Sequence, residues 1–338
     1  MSILAGIDIG GTKCAVSLGV MRDTTGQQIE IIAKRRFATL SGSMANIERL
    51  LNELEELLAE AEQADAGHGQ LSAIGISCGG PLDSKAGLIL SPPNLPDWSR
   101  VDIVTPFRER FAVPVGLQND ANACALAEWK WGAGQGSRNM IFLTFGTGMG
   151  AGLILDGRLY SGTSDMAGEV GHIRLAPTGP VGYGKAGSFE GFCSGGGIAE
   201  LGRMEAERIF KDGKVPSFCA EPNAVPTITA EAIGEAARRG EADAIGIFQT
   251  VACKLGSALA ILVDMLNPEC IVIGSIYGRQ LPLLEQMMQE ELQREALPHS
   301  LSVCRIIPAG LKEQVGDYAG LSVALNQLIT VNDQTANL

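Results

Sequence analysis

Twice along this chain an apolar strand breaks into glycines and a threonine and then resumes as a strand. The first break is Gly10-Gly11-Thr12, after Ile3 to Ile9 and before Ala15 to Val20. The second is Gly146-Thr147-Gly148-Met149-Gly150, after Met140 to Phe145 and before Leu153 to Leu155. Glycines at a strand-to-strand turn let backbone N–H groups converge on an anion, and threonine adds a hydroxyl donor. Two such turns in one chain point to two lobes holding one polyphosphate. Neither is a Walker A loop, since no Gly-Lys-Ser/Thr ending follows, and the glycine spacing is wrong for G-x-G-x-x-G before a helix. Taken singly, each also reads as an ordinary glycine turn.

Between and beyond these turns, strands alternate with helices. Ile29 to Phe37 reads as a third strand. Met44, Ile47, Leu50, Leu51, Leu54, Leu57, Leu58 and Ala61 recur at helical spacing, with Ser43 as N-cap. Leu71 to Ser77 is a strand ending at Gly79-Gly80-Pro81. Val113 to Leu117 is another, followed by a helix over Ala121 to Trp131. Asp156-Gly157 makes a hairpin turn. Residues 160–200 are glycine-rich and weakly periodic, as a binding region would be. Residues 228–267 read as two or three helical pieces. Glu269 to Gly274 and Ser302 to Ile307 read as strands, Leu281 to Glu295 and Val315 to Leu328 as helices. The pattern is that of an α/β protein.

Composition narrows the function. The 338 residues carry 26 basic and 38 acidic side chains, a formal net charge of −12. That balance speaks against non-specific nucleic-acid binding and against an anionic membrane surface. No signal peptide is visible, and the most apolar later run, Ser257 to Leu266, is ten residues long and contains Asp264. The 43 glycines are nearly double the usual ~7%. The eight cysteines show no C-x-x-C spacing, so a reduced, cytoplasmic setting is the simpler reading.

Beside the two glycine turns, three sets of residues carry the chemistry. Asp8 lies between Ile7 and Ile9 on an apolar strand, a costly place for a carboxylate without a partner. It could hold Mg²⁺ through water beside phosphate oxygens. Asn119-Asp120 lies between a strand and a helix. Asp is a favoured N-cap, and equally a general base for an attacking hydroxyl. Gly168-Glu169-Val170-Gly171-His172 and Glu190 place two carboxylates and an imidazole in glycine-rich loops, suited to several hydroxyls at once. The other two histidines, His68 and His299, read as surface residues. No cysteine cluster near His172 has the spacing of a sequence-local zinc site.

In this order the motifs resemble the ROK sugar kinases of the hexokinase/actin/Hsp70-like superfamily, over Gly6 to about Leu328. The matching elements are Asp8-Ile9-Gly10-Gly11-Thr12-Lys13, Gly79-Gly80-Pro81-Leu82-Asp83, Pro93-Asn94-Leu95-Pro96-Asp97-Trp98, Asn119-Asp120-Ala121-Asn122-Ala123, Gly146-Thr147-Gly148-Met149-Gly150, Gly168-Glu169-Val170-Gly171-His172 and Leu266 to Gly274. The resemblance implies two actin-like (ribonuclease H-like) α/β lobes with mixed sheets around a central cleft. Residues 1–118 would form one lobe, 119–315 the larger one, and a C-terminal helix over about 316–338 would pack back on the first. It implies Asp120 as catalytic base. Gly80, Asn94, Asn119, Asp120, Glu169, His172 and Glu190 would bind sugar. Asp8, Gly10, Gly11, Thr12, Lys13, Gly146, Thr147, Gly148 and Gly274 would bind nucleotide, with Mg²⁺ held by Asp8 through water.

The implied activity is transfer of the γ-phosphoryl of ATP to a hexose hydroxyl, O6 of glucose or a close relative, by a cytoplasmic homodimer or homotetramer. Kinases of N-acetylmannosamine, N-acetylglucosamine, fructose, allose or a β-glucoside, and a non-catalytic sugar-sensing regulator, are the alternatives. The family's repressors carry a helix-turn-helix before the first phosphate turn, which here starts at residue 8. Most members also carry C-x-C-G-x-x-G-C after the Gly-His element. Here that stretch is Gly182-Tyr183-Gly184-Lys185-Ala186-Gly187-Ser188. The cysteines are absent, which argues against zinc and leaves loop packing to orient His172 and Glu190.

Overall fold

The computed structural model describes residues 2–23, 26–64 and 69–336; His68 lies outside them. In chain order the elements begin with β1 (Ser2–Ile9), β2 (Lys13–Met21), β3 (Ile29–Ala38), α1 (Ser43–Ala64) and β4 (Gln70–Cys78). Three short strands follow, β5 (Leu82–Asp83), β6 (Leu88–Ile89) and β7 (Val101–Asp102). Next come α2 (Val104–Phe111), β8 (Val115–Asn119), α3 (Asp120–Trp131), β9 (Met140–Phe145), β10 (Met149–Leu155) and β11 (Arg158–Tyr160). The glycine-rich region holds β12 (Val181–Gly182), β13 (Lys185–Ala186), α4 (Phe189–Cys193) and α5 (Gly195–Lys211). The chain ends with α6 (Ala230–Arg238), α7 (Ala242–Leu266), β14 (Cys270–Ile273), α8 (Ile276–Arg279), α9 (Leu281–Glu295), α10 (Pro298–Leu301), β15 (Arg305–Pro308) and α11 (Val315–Ala336).

Contacts group the chain into two units. The first comprises Met1–Ser137, Gly152–Ala167 and Glu313–Leu338. Its sheet has the order β3-β2-β1-β4-β8. β1 is antiparallel to β2, while β1, β4 and β8 run parallel. Both faces of this sheet are covered, so β1 is an almost unbroken apolar run rather than an alternating one. On one face Ile3, Ala5, Ile7 and Ile9 pack with Leu50, Leu54 and Leu57 of α1 and Phe107 of α2. On the other, Leu4 and Ala73 pack against Leu321, Ala324 and Leu325 of α11.

Glycine explains how α11 lies so close to the sheet. Gly6 of β1, Gly75 of β4 and Gly116 of β8 stand opposite one another in register. A Cβ on Gly75 would lie 2.1 Å from the Gly320 carbonyl oxygen and 2.2 Å from the Ala324 nitrogen. One on Gly6 would lie 2.7 Å from the Leu321 nitrogen. Backbone meets backbone here, with no flexible side chain to yield.

The expected lobe boundary at 118/119 is not where the contacts divide the chain. α3 belongs with the first unit because it packs on α11, where Ser322 Oγ donates to the Ala123 carbonyl at 2.9 Å. Gly152 is held there too, since a Cβ on it would lie 2.4 Å from Ala125 Cβ.

The second unit comprises Arg138–Ala151 and Gly168–Lys312. Within it β9, β14 and β15 are parallel. α7 packs along α9, and Gly256 allows the approach: its Cβ would meet the Met288 carbonyl oxygen at 2.6 Å. By length and hydropathy α7 could cross a membrane, which the ten-residue apolar run did not suggest. Its Ile247, Phe248, Val251, Leu255, Leu259 and Leu262 are buried within the unit, as in a core helix.

Replacing Gly75 by Ala is expected to lower stability by about 3 kcal/mol or more, the upper range of overpacking, because the clash is with backbone. Gly246 of α7 has open space around its Cβ position, and Gly246→Ala is expected to add about 0.5–1 kcal/mol. Urea denaturation midpoints of the two variants measure both.

Candidate active site

In the first unit the candidate residues collect at one sheet end. β1, β4 and β8 are parallel, so their C-terminal ends lie together. Ile9, Cys78 and Asn119 are in register across them. Asp8, Gly79, Gly80, Asn119 and Asp120 therefore share that end, where open α/β sheets place ligands. Alternation along β1 puts Asp8 on the α11 face with Leu4 and Gly6. The residue is half-buried. Burial, and then the charge of Asp120, push its pKa up from 3.8 to about 6; Arg36 opposes this, Asp317 adds to it and Lys34 opposes it.

The turn after β1 is closed by backbone. Gly10 N–H donates to the Lys13 carbonyl at 3.0 Å, and Thr39 Oγ1 donates to the Gly10 carbonyl at 2.6 Å. Gly11, Thr12 and Lys13 are exposed. Gly11 has to be glycine, because a Cβ would lie 2.4 Å from the Asn94 carbonyl oxygen. The Asn94 side chain also reaches the Gly79 backbone, its Oδ1 lying 3.3 Å from where a Gly79 Cβ would be. The opening turn, Gly79 and Asn94 are thus neighbours, and Gly80 beside them is exposed.

The cap of α3 is Asn119, whose Oδ1 accepts the Asn122 N–H at 2.7 Å. Asp120, read from sequence as either cap or base, is relieved of capping. It accepts the adjacent Ala121 N–H, at 2.8 Å. Burial raises its pKa, and the backbone N–H groups of Ala121 and of Asp120 itself pull the other way. Part of the residue remains open to solvent. Asn122, two residues on, is fully buried, and among the described residues its Oδ1 has no hydrogen-bond partner.

The second unit has its own cluster. After β9, Gly146 N–H bonds to the Gly148 carbonyl at 3.2 Å, and its own carbonyl accepts the Gly195 N–H at 2.8 Å. Glu190 Oε2 accepts the Met149 N–H at 3.0 Å. A Cβ on Gly148 would lie 3.0 Å from that same oxygen. Val170–His172 forms a single 3-10 turn. Gly171 lies against the Met149 carbonyl, 2.2 Å from its own would-be Cβ, and against Glu190 Cβ. The structure thus gathers the glycine turn, the Gly-His element and Glu190. Glu169 and His172 are exposed and Glu190 half-buried.

Gly274 is placed differently. It is buried against the Phe142 ring, and its N–H is taken by the Leu143 carbonyl at 3.0 Å. The residues after it reach the surface. Ser275 Oγ lies 3.8 Å from a would-be Cβ on Gly146, and Ile276 helps line a cavity of about 540 Å³ with Thr147, Gly195, Gly196, Glu231 and Gln280. Sequence reasoning singled out only Thr147 of this set. α5 escaped notice because it opens with three glycines, poor helix formers. The available signal was Ser194, whose Oγ caps the helix by accepting the Gly197 N–H at 2.9 Å.

The stretch Gly182 to Ser188, where the resemblance led to an expectation of zinc cysteines, offers no thiolate to such a metal. Among the described residues no three His, Cys, Asp or Glu side chains are grouped as ligands. The Lys185 ammonium instead donates to the His172 carbonyl at 2.5 Å. Magnesium is different: the Asp8 carboxylate has the oxygen donors such an ion prefers, and a nearby cation would favour its ionised form.

The ROK family pattern matches residues 4–325, and this chain belongs to the ROK family. It is 28% identical over 321 residues to a glucokinase of Thermotoga maritima, covering 95% of this chain and 96% of that one. A ROK family glucokinase from Streptomyces griseus, solved in complex with glucose and AMPPNP, superimposes with a TM-score of 0.68 at 28% identity, over 96% of this chain and 99% of that one. The DNA-binding transcriptional repressor Mlc of Escherichia coli is 26% identical over 269 residues, 79% of this chain and 63% of the repressor. The fold is the mixed α/β, actin-like fold of ROK sugar kinases.

Because Asp8 has a higher pKa folded than unfolded, its ionisation opposes folding. The sign follows from linkage: stability is fullest below pH 3.8 and is lost as pH rises through about 6. At neutral pH the cost is about 3 kcal/mol at most. Asp8→Asn is therefore expected to be more stable than the parent at pH 7.5, by about 1–3 kcal/mol, and no more stable near pH 4. Urea denaturation at the two pH values decides it.

Proposed function

We propose that this protein is an ATP-dependent sugar kinase that transfers the γ-phosphoryl group to a hexose hydroxyl, O6 of glucose or a close relative. The observation that carries the reading is Asp120. It is a solvent-reachable carboxylate, freed from capping by Asn119, at the same sheet end as Asp8 and the first glycine turn.

Phosphoryl transfer depends mainly on positioning and charge stabilisation. Asp120 takes the proton of the attacking hydroxyl, with Gly80, Asn94 and Asn119 of the same unit as sugar contacts. In the second unit Glu169, His172 and Glu190 offer acceptors and a ring nitrogen to hydroxyls. Gly146, Thr147 and Gly148 present N–H groups and a hydroxyl to phosphate. The cavity beside Thr147 has the volume of a small-ligand pocket and takes the nucleoside. Gly274 acts there through backbone packing that places Ser275 and Ile276. In the first unit Gly10, Gly11, Thr12 and Lys13 face the phosphates. Asp8 would hold Mg²⁺ through water, and the ion supplies charge neutralisation on phosphate oxygens. We read the protein as a cytoplasmic homodimer or homotetramer, acting on ATP and sugar without nucleic acid or membrane.

The likeness to Mlc favours one second reading, a sugar-responsive regulator that binds without turnover. ADP release from MgATP separates the two when glucose, N-acetylglucosamine, N-acetylmannosamine, fructose, mannose, allose and cellobiose are offered in turn. The kinase reading expects one sugar to stimulate release strongly, and Asp120→Asn to lower kcat by about 10²–10⁴. Sugar binding without any stimulated release would favour the regulator. Near-parental turnover in Asp120→Asn would remove that residue from its role.

A further inference from the structure

β12 and β13 form a two-residue hairpin, with Val181 opposite Ala186 and Gly182 opposite Lys185. Its turn residues, Tyr183 and Gly184, both have positive φ, 44° and 75°, the backbone of a type I′ turn. Asparagine or glycine is the usual first residue of such a turn, and an aromatic side chain is disfavoured there. Core burial does not explain the tyrosine, which is 70% exposed. What it touches does. Its ring stands edge-on to the His172 imidazole, with centroids 5.5 Å apart and planes at 80°, a favourable aromatic geometry.

The same hairpin also holds the main chain of His172 and is itself held beside Glu190. Lys185 Nζ donates to the His172 carbonyl at 2.5 Å. A Cβ on Gly182 would lie 2.4 Å from the Gly191 nitrogen and 2.9 Å from Glu190 Cβ. Gly187, at φ 67°, lies against the Ala176 carbonyl, and Gly191 against that of Pro180. Ser188 Oγ caps α4 by accepting the Gly191 N–H at 3.1 Å. The loop is fastened by close backbone contacts and two side chains.

We propose that the Val181–Ala186 hairpin is a metal-free orienting device in which Tyr183 and Lys185 act as positioning residues for His172, at the stretch where the resemblance implied zinc cysteines. Lys185 fixes the main chain at position 172, and the Tyr183 ring limits the rotation of the imidazole. The inference rests on the sugar-kinase reading for its consequence in binding, but not for its geometry.

The test uses Tyr183→Gly, Tyr183→Phe and Lys185→Met in the full chain. Glycine suits a positive φ, so Tyr183→Gly is expected to melt no lower than the parent. It is nonetheless expected to raise the sugar KM about tenfold, in the range that misplacing a binding group costs, with the KM for MgATP unchanged. Lys185→Met is expected to do the same and Tyr183→Phe to keep the parental sugar KM. In sugar-free protein the His172 ring-proton NMR resonance, assigned through His172→Gln, is expected to shift in Tyr183→Gly but not in Tyr183→Phe. Purified protein is expected to hold zinc well below one per chain.

A parental sugar KM together with an unmoved His172 resonance in Tyr183→Gly would overturn the proposal. So would one zinc per chain whose removal, with Mg²⁺ kept in excess, moves that resonance. If the parent protein itself shows no sugar-dependent turnover, the kinase reading fails, and the resonance still decides the role of the hairpin.

Discussion

Two carboxylates whose charge burial disfavours, Asp8 and Asp120, stand at the C-terminal end of the parallel strands β1, β4 and β8, and the candidate chemistry depends on them. Burial disfavours the charge on each, and the charge on Asp120 further disfavours that on Asp8. A folded protein gains nothing from such a pair. It becomes useful when a proton or a cation arrives, which is what a hydroxyl nucleophile and a magnesium nucleotide bring. The stability cost at neutral pH and the readiness to take up positive charge are two consequences of one arrangement.

The rest of the first unit serves to place that sheet end. The row Gly6, Gly75 and Gly116 lets α11 lie against the strand backbones, and Gly11 lets Asn94 close over the opening turn. In the second unit the parallel strands β9 and β14 repeat the logic, ending at Gly146 and at Gly274 with Ser275. Glycine is abundant in this sequence because so many of its working contacts are backbone against backbone.

Much of this was legible in the sequence, and the exceptions have physical causes. Asp8 announced itself as a carboxylate on an apolar strand, and the helices with regular apolar spacing, such as α1 and α9, fall where that spacing places them. The glycine row was not legible, because it exists only through strand register between residues about 70 and 40 positions apart. The grouping of α3 with the first unit depends on α11, nearly 200 residues away along the chain. Capping by Asn119 rather than Asp120 turns on one residue of helix phase, which periodicity does not resolve. α5 and its cavity were missed because three glycines stand where a helix former was expected. The hairpin at Tyr183 was seen only as missing cysteines, since the contact that replaces them lies between side chains 11 positions apart.

The pH dependence of kcat/KM for MgATP, at saturating sugar, tests the carboxylate pair most directly, since it reports the ionisation of groups in the protein before nucleotide binds. If Asp8 must be ionised to act, activity falls as pH drops through about 6, well above the ordinary aspartate value of 3.8; Asp120, also raised by burial, pushes the fall in the same direction. A profile that stays flat from pH 8 down to 5 would contradict the account, and the reaction would have to be assigned to other groups.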